Sequence, residues 1–95
     1  MLWEMFISIC LLTTLECDNI NVRYGHTGSD GMAISDHGEM SIIIRPLIKN
    51  EQSIMAHEIA HLIEFKKENY SHDYRFFLTC KDLSELAEVR GICYE

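Results

Sequence analysis

The N-terminal segment carries apolar residues at the three- and four-residue spacing of a helix. The residues that fall on one arc of that helix are Leu2, Met5, Phe6, Ile9 and Leu12. Leu11 and Leu15 interrupt the opposite polar face, so we expect this helix to be buried on more than one side. The segment has no basic residue before Arg23 and no cleavage site of small residues, and its apolar stretch is shorter than the about 20 residues that span a bilayer. We therefore expect a retained structural helix and no membrane association.

The middle of the chain alternates apolar and polar residues, which indicates strands. Residues 20–24 (INVRY) are predicted to form a half-buried strand, and the glycine-rich sequence GHTGSDG after it a loop. Residues 32–35 and 40–45, joined by the turn DHGE, are predicted to form a β-hairpin. In its second arm Met40, Ile42 and Ile44 share one face. The sequence thus predicts a small three-stranded, mostly antiparallel sheet.

Helical spacing returns in the C-terminal half of the chain. The candidate N-caps of three successive helices are Asn50 or Ser53, then Ser71, then Asp82. The first of these helices is predicted to continue to about Lys67, the second contains HDYRFFLTC, and the third is LSELAEVR with Gly91 as its terminator. A helix, three strands and then further helices predict an α+β layer fold.

Composition and charge narrow the class of protein. A chain of 95 residues with 47% apolar residues is expected to form one globular domain, residues 1–95. The net charge of −7 and the scattered basic residues argue against direct binding of nucleic acid. We expect a monomer. The four cysteines, Cys10, Cys17, Cys80 and Cys93, contain no C-x-x-C pair, and we expect reduced, mostly buried thiols in a cytoplasmic protein.

Two histidines and a glutamate interrupt the apolar helix in the stretch SIMAHEIAHLIEF. His57 and His61 are four residues apart, so on a helix both imidazoles project from one face and can bind one zinc ion. Glu58 is displaced by about 100° around the helix axis, so we expect it to act as a general base on a water held by the ion. The ion and its water would also satisfy polar groups whose unpaired burial costs about 2–7 kcal/mol.

A third protein ligand must come from outside this helix, because a catalytic zinc usually has three protein ligands and one open position. The metzincin pattern is not followed, since Glu64 and Lys67 stand where it needs Gly and His. Two candidates remain. One is His72 in SHDYRFF, and the other is a carboxylate of the last predicted helix, Glu85 or Glu88.

The strand ending in IIIRP, the helix MAHEIAHLIEF and the sequence HDYRFF together resemble the SprT-like metallopeptidases and their small WLM-type relatives, over about residues 20 to 80. The resemblance implies a zincin-like fold and assigns His57, His61 and His72 as zinc ligands, Glu58 as the catalytic glutamate and Phe76 as a packing aromatic. The chain departs from the family in its shorter loop between the second and third histidines and in Asp73, which replaces a common glycine. It also contains no zinc ribbon or DNA-binding extension, so the family's link to proteolysis of DNA crosslinks is not carried over.

The sequence therefore predicts a zinc metallopeptidase that hydrolyses peptide bonds of a protein or peptide substrate. The strand over residues 40–45 is expected to pair with an extended substrate by β-augmentation. The alternative is a non-catalytic binding or regulatory module in which zinc stabilises the fold, which the small size of the chain favours. A third possibility, a secreted disulfide protein, requires cleavage of the N-terminal segment.

Overall fold

The computed structural model describes residues 1–93 and places helices on a small sheet, which confirms the predicted α+β class. The helices are α1 (Leu2–Cys10), α2 (Glu51–Phe65) and α3 (Tyr74–Ala87), and the strands are β1 (Ile20–Tyr24), β2 (Gly31–Asp36) and β3 (Glu39–Ile44). A short 3-10 turn, Cys17–Asn19, precedes β1. None of the helices in residues 1–93 combines the length and apolarity needed to cross a bilayer.

The sheet is mixed, with the strand order β1-β3-β2. β3 lies in the centre, parallel to β1 and antiparallel to β2, so the predicted mostly antiparallel arrangement is wrong. The β2–β3 hairpin is confirmed, and its two-residue turn, His37 and Gly38, has positive φ at both positions, as a tight hairpin turn requires. The parallel pairing of β1 with β3 was not predicted, because the alternation within one strand indicates which face is buried and not which strands lie beside it.

The central strand turns the predicted face toward the helices. Ile42 and Ile44 are fully buried and Met40 is half-buried. They pack in one core cluster with the buried side of α1 and with Met55, Ile59 and other residues of α2. The apolar pattern of β3 therefore places α2 against the sheet, and α2 is the helix that carries both motif histidines.

The first helix buries one side only, in contrast to the prediction. Leu2, Phe6 and Ile9 are buried, whereas Leu12 lies beyond the helix end and is 45% exposed. The chain turns back after α1, which brings Cys10 to Cys17 in a disulfide bond. A second disulfide joins Cys80 of α3 to Cys93. The predicted reduced thiols are therefore wrong, because the spacings of 7 and 13 residues gave no indication of which cysteines the folded chain would bring together.

The two predicted C-terminal helices are a single helix. In α3 the buried positions Phe76, Cys80 and Leu83 follow one continuous helical face, and no Gly or Pro interrupts it. Asp82, predicted as an N-cap, lies inside this helix. The observed N-cap is Asp73 and not Ser71, since the Asp73 carboxylate accepts a hydrogen bond from the Phe76 backbone N–H at 3.1 Å.

Two helices also end earlier than the sequence predicts. α2 ends at Phe65, before Lys67. α3 ends at Ala87, where Glu88 adopts a left-handed conformation with φ 57°, so the helix stops before Gly91.

Candidate metal centre

Three histidines from two parts of the chain lie close together beside α2. His57 and His61 lie one turn apart on α2 and are largely buried, and His72 comes from the loop that precedes α3 and is exposed. The Nε2 atom of His72 lies 2.9 Å from Nε2 of His61 and 3.3 Å from Nε2 of His57. One potential ligand atom from each residue lies within 4.8 Å of the others. The three side chains are therefore close enough to bind one metal ion.

The separation of these nitrogens can be compared with that in a zinc site. Nitrogens that bind one zinc ion at about 2.0–2.1 Å in a tetrahedral arrangement lie roughly 3.3–3.4 Å apart. The His57–His72 separation agrees with this value, and the His61–His72 separation is shorter by a few tenths of an ångström. Both separations are close to those expected when the three histidines bind one ion.

The tautomer of His57 is determined by a backbone carbonyl. Nδ1 of His57 lies 2.6 Å from the carbonyl oxygen of Ile92, and a carbonyl can only accept, so Nδ1 carries the proton and donates it. Nε2 of His57 then carries the lone pair, and it lies 3.3 Å from Nε2 of His72. A metal-binding histidine commonly donates its second N–H to a carbonyl or carboxylate in this way, which fixes the ring orientation.

His61 is held by packing instead. Its ring stacks on the buried Phe76 with a centroid distance of 4.1 Å, and its buried Nδ1 has no hydrogen-bond partner among residues 1–93. Burial, followed by the nearby imidazoles of His57 and His72, lowers the pKa of the His61 imidazole to about 4. A neutral imidazole keeps the lone pair that a metal ion requires.

The loop that carries His72 is attached to α2 by a buried carboxylate. Glu64 is 1% exposed and accepts hydrogen bonds from Nδ2 of Asn69 at 2.8 Å and from the Thr79 hydroxyl at 2.6 Å. Nζ of Lys67 also donates to it, at 3.3 Å. Burial raises the pKa of the Glu64 carboxyl, but these three donors outweigh it and leave the pKa below its ordinary value.

The same asparagine reaches the start of α3. Nδ2 of Asn69 also donates to the Asp73 carboxylate at 3.0 Å, and its Oδ1 accepts from the Ser71 hydroxyl at 3.1 Å. Because Asp73 follows His72 directly, these bonds determine where the third histidine lies. The Phe76 backbone N–H, Asn69 and Arg75 lower the pKa of Asp73 to about 2, so this carboxylate is ionised at neutral pH.

Glu58 lies beside the histidines against the sheet edge. It is buried, and its carboxylate faces the backbone of Gly31 in β2. A Cβ at Gly31 would lie 2.9 Å from Oε2 of Glu58 and 2.7 Å from Cγ2 of Ile54. Only glycine permits this close approach of β2 to α2. The sequence predicted Gly31 only as part of a loop, although a glycine at a strand can signal a close backbone contact.

A cavity of about 480 Å³ adjoins the centre. Its lining includes Glu58, the three histidines, residues 31–33 of β2, and Tyr70 and Ile92. Because His72 and Tyr70 are exposed, the cavity is open to solvent. β3 does not line it and is paired on both edges by β1 and β2, so the predicted use of residues 40–45 for substrate pairing is wrong. The strand beside the cavity is β2.

The remaining candidates lie elsewhere. Glu85 and Glu88 are exposed on or at the end of α3, and within residues 1–93 neither joins the histidine cluster. The Glu85 carboxylate instead accepts a hydrogen bond from Lys81 at 3.0 Å. The other two histidines of the chain, His26 and His37, are exposed and also lie outside the cluster. Of the two open choices for a third ligand, the structure brings His72 to the other histidines.

Sequence reasoning missed two features of this centre, the Ile92 carbonyl and the pairing of Asn69 with Glu64. Both depend on chain folding over distances that no local pattern reports.

No protein-family model, curated protein or solved structure matches the chain.

Proposed function

We propose that the protein is a zinc-dependent metallopeptidase that hydrolyses peptide bonds, in keeping with the resemblance of its motif to SprT-like and WLM-type enzymes. The observation that carries the proposal is the placement of Glu58 beside three converging histidines in the wall of one solvent-open cavity. A carboxylate next to a metal-binding cluster that a polypeptide can reach supplies the groups for hydrolysis of an amide bond.

Zinc is the metal that we infer for this cluster. Neutral imidazoles bind zinc well, and within residues 1–93 the cluster offers three protein ligands and no fourth. Three ligands leave a position for water, as in catalytic sites, whereas structural zinc sites have four protein ligands. Zinc bound there would polarise a water molecule and lower its pKa toward about 7.

Glu58 would act as the general base and then as the general acid. Its carboxylate accepts a proton from the attacking water and delivers a proton to the amine that leaves when the peptide bond breaks. Its position one residue after His57 keeps it out of the ligand cluster, and the Gly31 backbone limits where its side chain can lie.

The substrate would bind as an extended peptide along β2. The strand order leaves β2 with an outer edge that no other strand in residues 1–93 covers, and residues 31–33 of this strand line the cavity. A free strand edge binds extended peptides through backbone hydrogen bonds and is tolerant of sequence. We therefore infer an unfolded protein or a flexible peptide as the substrate.

The two disulfides change the compartment that we infer. Disulfides persist in oxidising environments and are rare in the cytosol. Cys10–Cys17 and Cys80–Cys93 therefore favour an oxidising compartment over the cytoplasm that the sequence predicted. They also covalently reinforce the fold, which reduces the need for a zinc ion that serves as a structural element only.

The deciding experiment compares wild type with Glu58→Gln on unfolded protein substrates, with zinc content measured in both. Gln keeps the size of the side chain but cannot accept the proton, so we expect unchanged zinc content and cleavage reduced by about 10²-fold or more. Glu39→Gln, the same change at an exposed position in β3, should leave cleavage unchanged. Undiminished cleavage by Glu58→Gln would exclude this base. Weaker zinc retention without any cleavage by either protein would favour the binding module instead.

A further inference from the structure

The last residues that the structure describes lie beside the histidine cluster. The carbonyl of Ile92 accepts the hydrogen bond from Nδ1 of His57, and Ile92 also lines the cavity. The next residue, Cys93, is bonded to Cys80 in the middle of α3. A metal-binding histidine is therefore oriented by a residue directly adjacent to a disulfide bond.

Within residues 1–93, backbone pairing does not hold the segment that supplies this carbonyl. Backbone hydrogen bonds continue past the end of α3 to Glu88 and Val89, whose N–H groups donate to Glu85 and Ser84. Within the described chain, residues 90–93 form no backbone–backbone hydrogen bond and belong to no helix or strand. The Cys80–Cys93 bond is thus the covalent cross-link that holds the Ile92 carbonyl near α3.

We propose that the Cys80–Cys93 disulfide positions the Ile92 carbonyl on His57, so that the metal centre is fully formed only when this disulfide is oxidised. The inference rests on the proposed function in one respect, namely that His57 binds zinc. It adds a form of regulation, because the enzyme would remain weakly metallated in a reducing compartment and gain zinc affinity after reaching an oxidising one.

The chemistry of the change is a two-electron reduction. A dithiol reductant transfers two electrons and two protons, the S–S bond breaks to give the Cys80 and Cys93 thiols, and the dithiol closes to its own disulfide. Residues 90–93 then lose their cross-link to Cys80 and stay attached to α3 only through the main chain. The His57 N–H loses a fixed acceptor, and the imidazole can rotate or change tautomer, which removes its lone pair from the cluster. Loss of such a partner typically costs about 10- to 100-fold in metal affinity.

The other disulfide provides a matched control. Cys10–Cys17 closes a turn between α1 and β1, and neither cysteine contacts the histidines or lines the cavity. Its removal also opens a short loop, with a comparable effect on chain entropy. If the two double variants differ in zinc affinity, the cause is therefore the position of the disulfide next to His57 and not a general loss of stability.

The test measures zinc affinity by competition with a chromogenic chelator for wild type, Cys80→Ala/Cys93→Ala and Cys10→Ala/Cys17→Ala. We expect affinity about 10- to 100-fold weaker in the first variant and within about threefold of wild type in the second. The second readout is the exchange rate of the His57 Nδ1 proton in ¹⁵N-histidine-labelled protein, which should be slow in wild type and in Cys10→Ala/Cys17→Ala and fast in Cys80→Ala/Cys93→Ala.

If Cys80→Ala/Cys93→Ala does not fold, the Cys10→Ala/Cys17→Ala protein replaces it, because only Cys80–Cys93 can then be reduced. Reduction with a dithiol should accelerate exchange of the His57 proton while the amide spectrum stays dispersed. Equal zinc affinity and equal exchange rates in both variants would overturn the proposal. Global unfolding on reduction would also overturn it, since the bond would then stabilise the whole fold. A wild type that binds no zinc would instead refute the proposed function, and the proton exchange would still test the positioning.

Discussion

The carboxylate of Glu64 and the side-chain amide of Asn69 form a buried hydrogen bond of 2.8 Å that joins α2, the helix carrying His57 and His61, to the loop carrying His72. Glu64 lies one helical turn after His61, and Asn69 lies three residues before His72. This bond therefore connects the second and third histidines through the protein itself, whether or not a metal ion is bound.

Asn69→Ala should weaken both the fold and the metal centre. The change removes a donor from the buried Glu64 and from Asp73, and an unsatisfied buried group costs about 1–3 kcal/mol in the free energy of unfolding. We expect a lower melting temperature and weaker zinc binding, measured by calorimetry and chelator competition. Asn19→Ala removes an exposed Asn–Glu bond and should change the free energy of unfolding by less than about 0.5 kcal/mol. Equal effects of the two substitutions would contradict this role.

Glu64 should also make stability depend on pH. Its pKa is lower in the folded protein than in the unfolded chain, so its stabilising contribution is present above the unfolded pKa, about 4.3, and is lost as the pH falls below it. With both proteins free of metal, the free energy of unfolding should therefore decrease less in Glu64→Gln than in wild type between about pH 5 and 3. Urea unfolding at several pH values measures this difference. Glu39→Gln, at an exposed site, should keep the wild-type slope, and an identical slope in Glu64→Gln would refute the assignment.

Gly31→Ala tests the close approach of β2 to Glu58. The new Cβ would lie within 3.0 Å of both Oε2 of Glu58 and Cγ2 of Ile54, so the strand or the carboxylate must move. We expect a loss of about 1–3 kcal/mol in the free energy of unfolding and reduced cleavage with zinc content unchanged. Gly28→Ala meets no atom within 4 Å and should behave as wild type. Full activity of Gly31→Ala would show that the carboxylate position is not constrained by β2.

The histidine cluster predicts a stoichiometric metal. The purified protein should contain about one zinc ion per chain, and alanine at His57, His61 or His72 should weaken binding, because each removes one of three ligands. Chelation should lower the melting temperature, since an ion at 100 times its Kd adds about 2.7 kcal/mol to folding. His26→Ala, at an exposed loop position, should keep the metal. Elemental analysis without stoichiometric metal, and no binding of added zinc, would exclude the centre.

Local patterns predicted the parts of the centre that lie on one element. The spacing of His57 and His61 determines that both share a helix face, and the alternation in β3 determined which face is buried. The choice of His72 over Glu85 or Glu88 came from the family resemblance, because spacing alone left both open. The zincin-like assignment itself stays a prediction.

The relationships that escaped prediction are all between distant parts of the chain. The parallel pairing of β1 with β3, the two disulfides and the Ile92 carbonyl on His57 depend on how separate elements pack together. Hydrophobic periodicity reports the face that an element buries, not the neighbour against which it is buried. The sequence predicts two helices in place of α3 for a different reason: Asp82 is a residue type favoured at helix caps, although the apolar face continues through it.

The substrate is proposed to bind at the outer edge of β2, which no other strand in residues 1–93 covers. The Asp30 carbonyl accepts a hydrogen bond from the Arg45 N–H at 2.9 Å, so Asp30 is directed toward β3, and the alternation of an antiparallel ladder directs the Ala33 N–H to the outer edge. Ala33→Pro removes this donor without removing a ladder bond, and proline is tolerated on edge strands.

We expect Ala33→Pro to raise KM for unfolded protein substrates and to lower kcat/KM by about 10-fold, the effect of one lost hydrogen bond of about 1–1.5 kcal/mol. Zinc content should not change, because residue 33 lies outside the ligand cluster. Ala33→Ser keeps the backbone donor at nearly the same volume and should cleave as wild type does. Steady-state kinetics on a fluorogenic peptide measure the three proteins side by side. If Ala33→Pro and Ala33→Ser give the same KM, the substrate does not pair with β2, and the cavity must bind it through side chains alone.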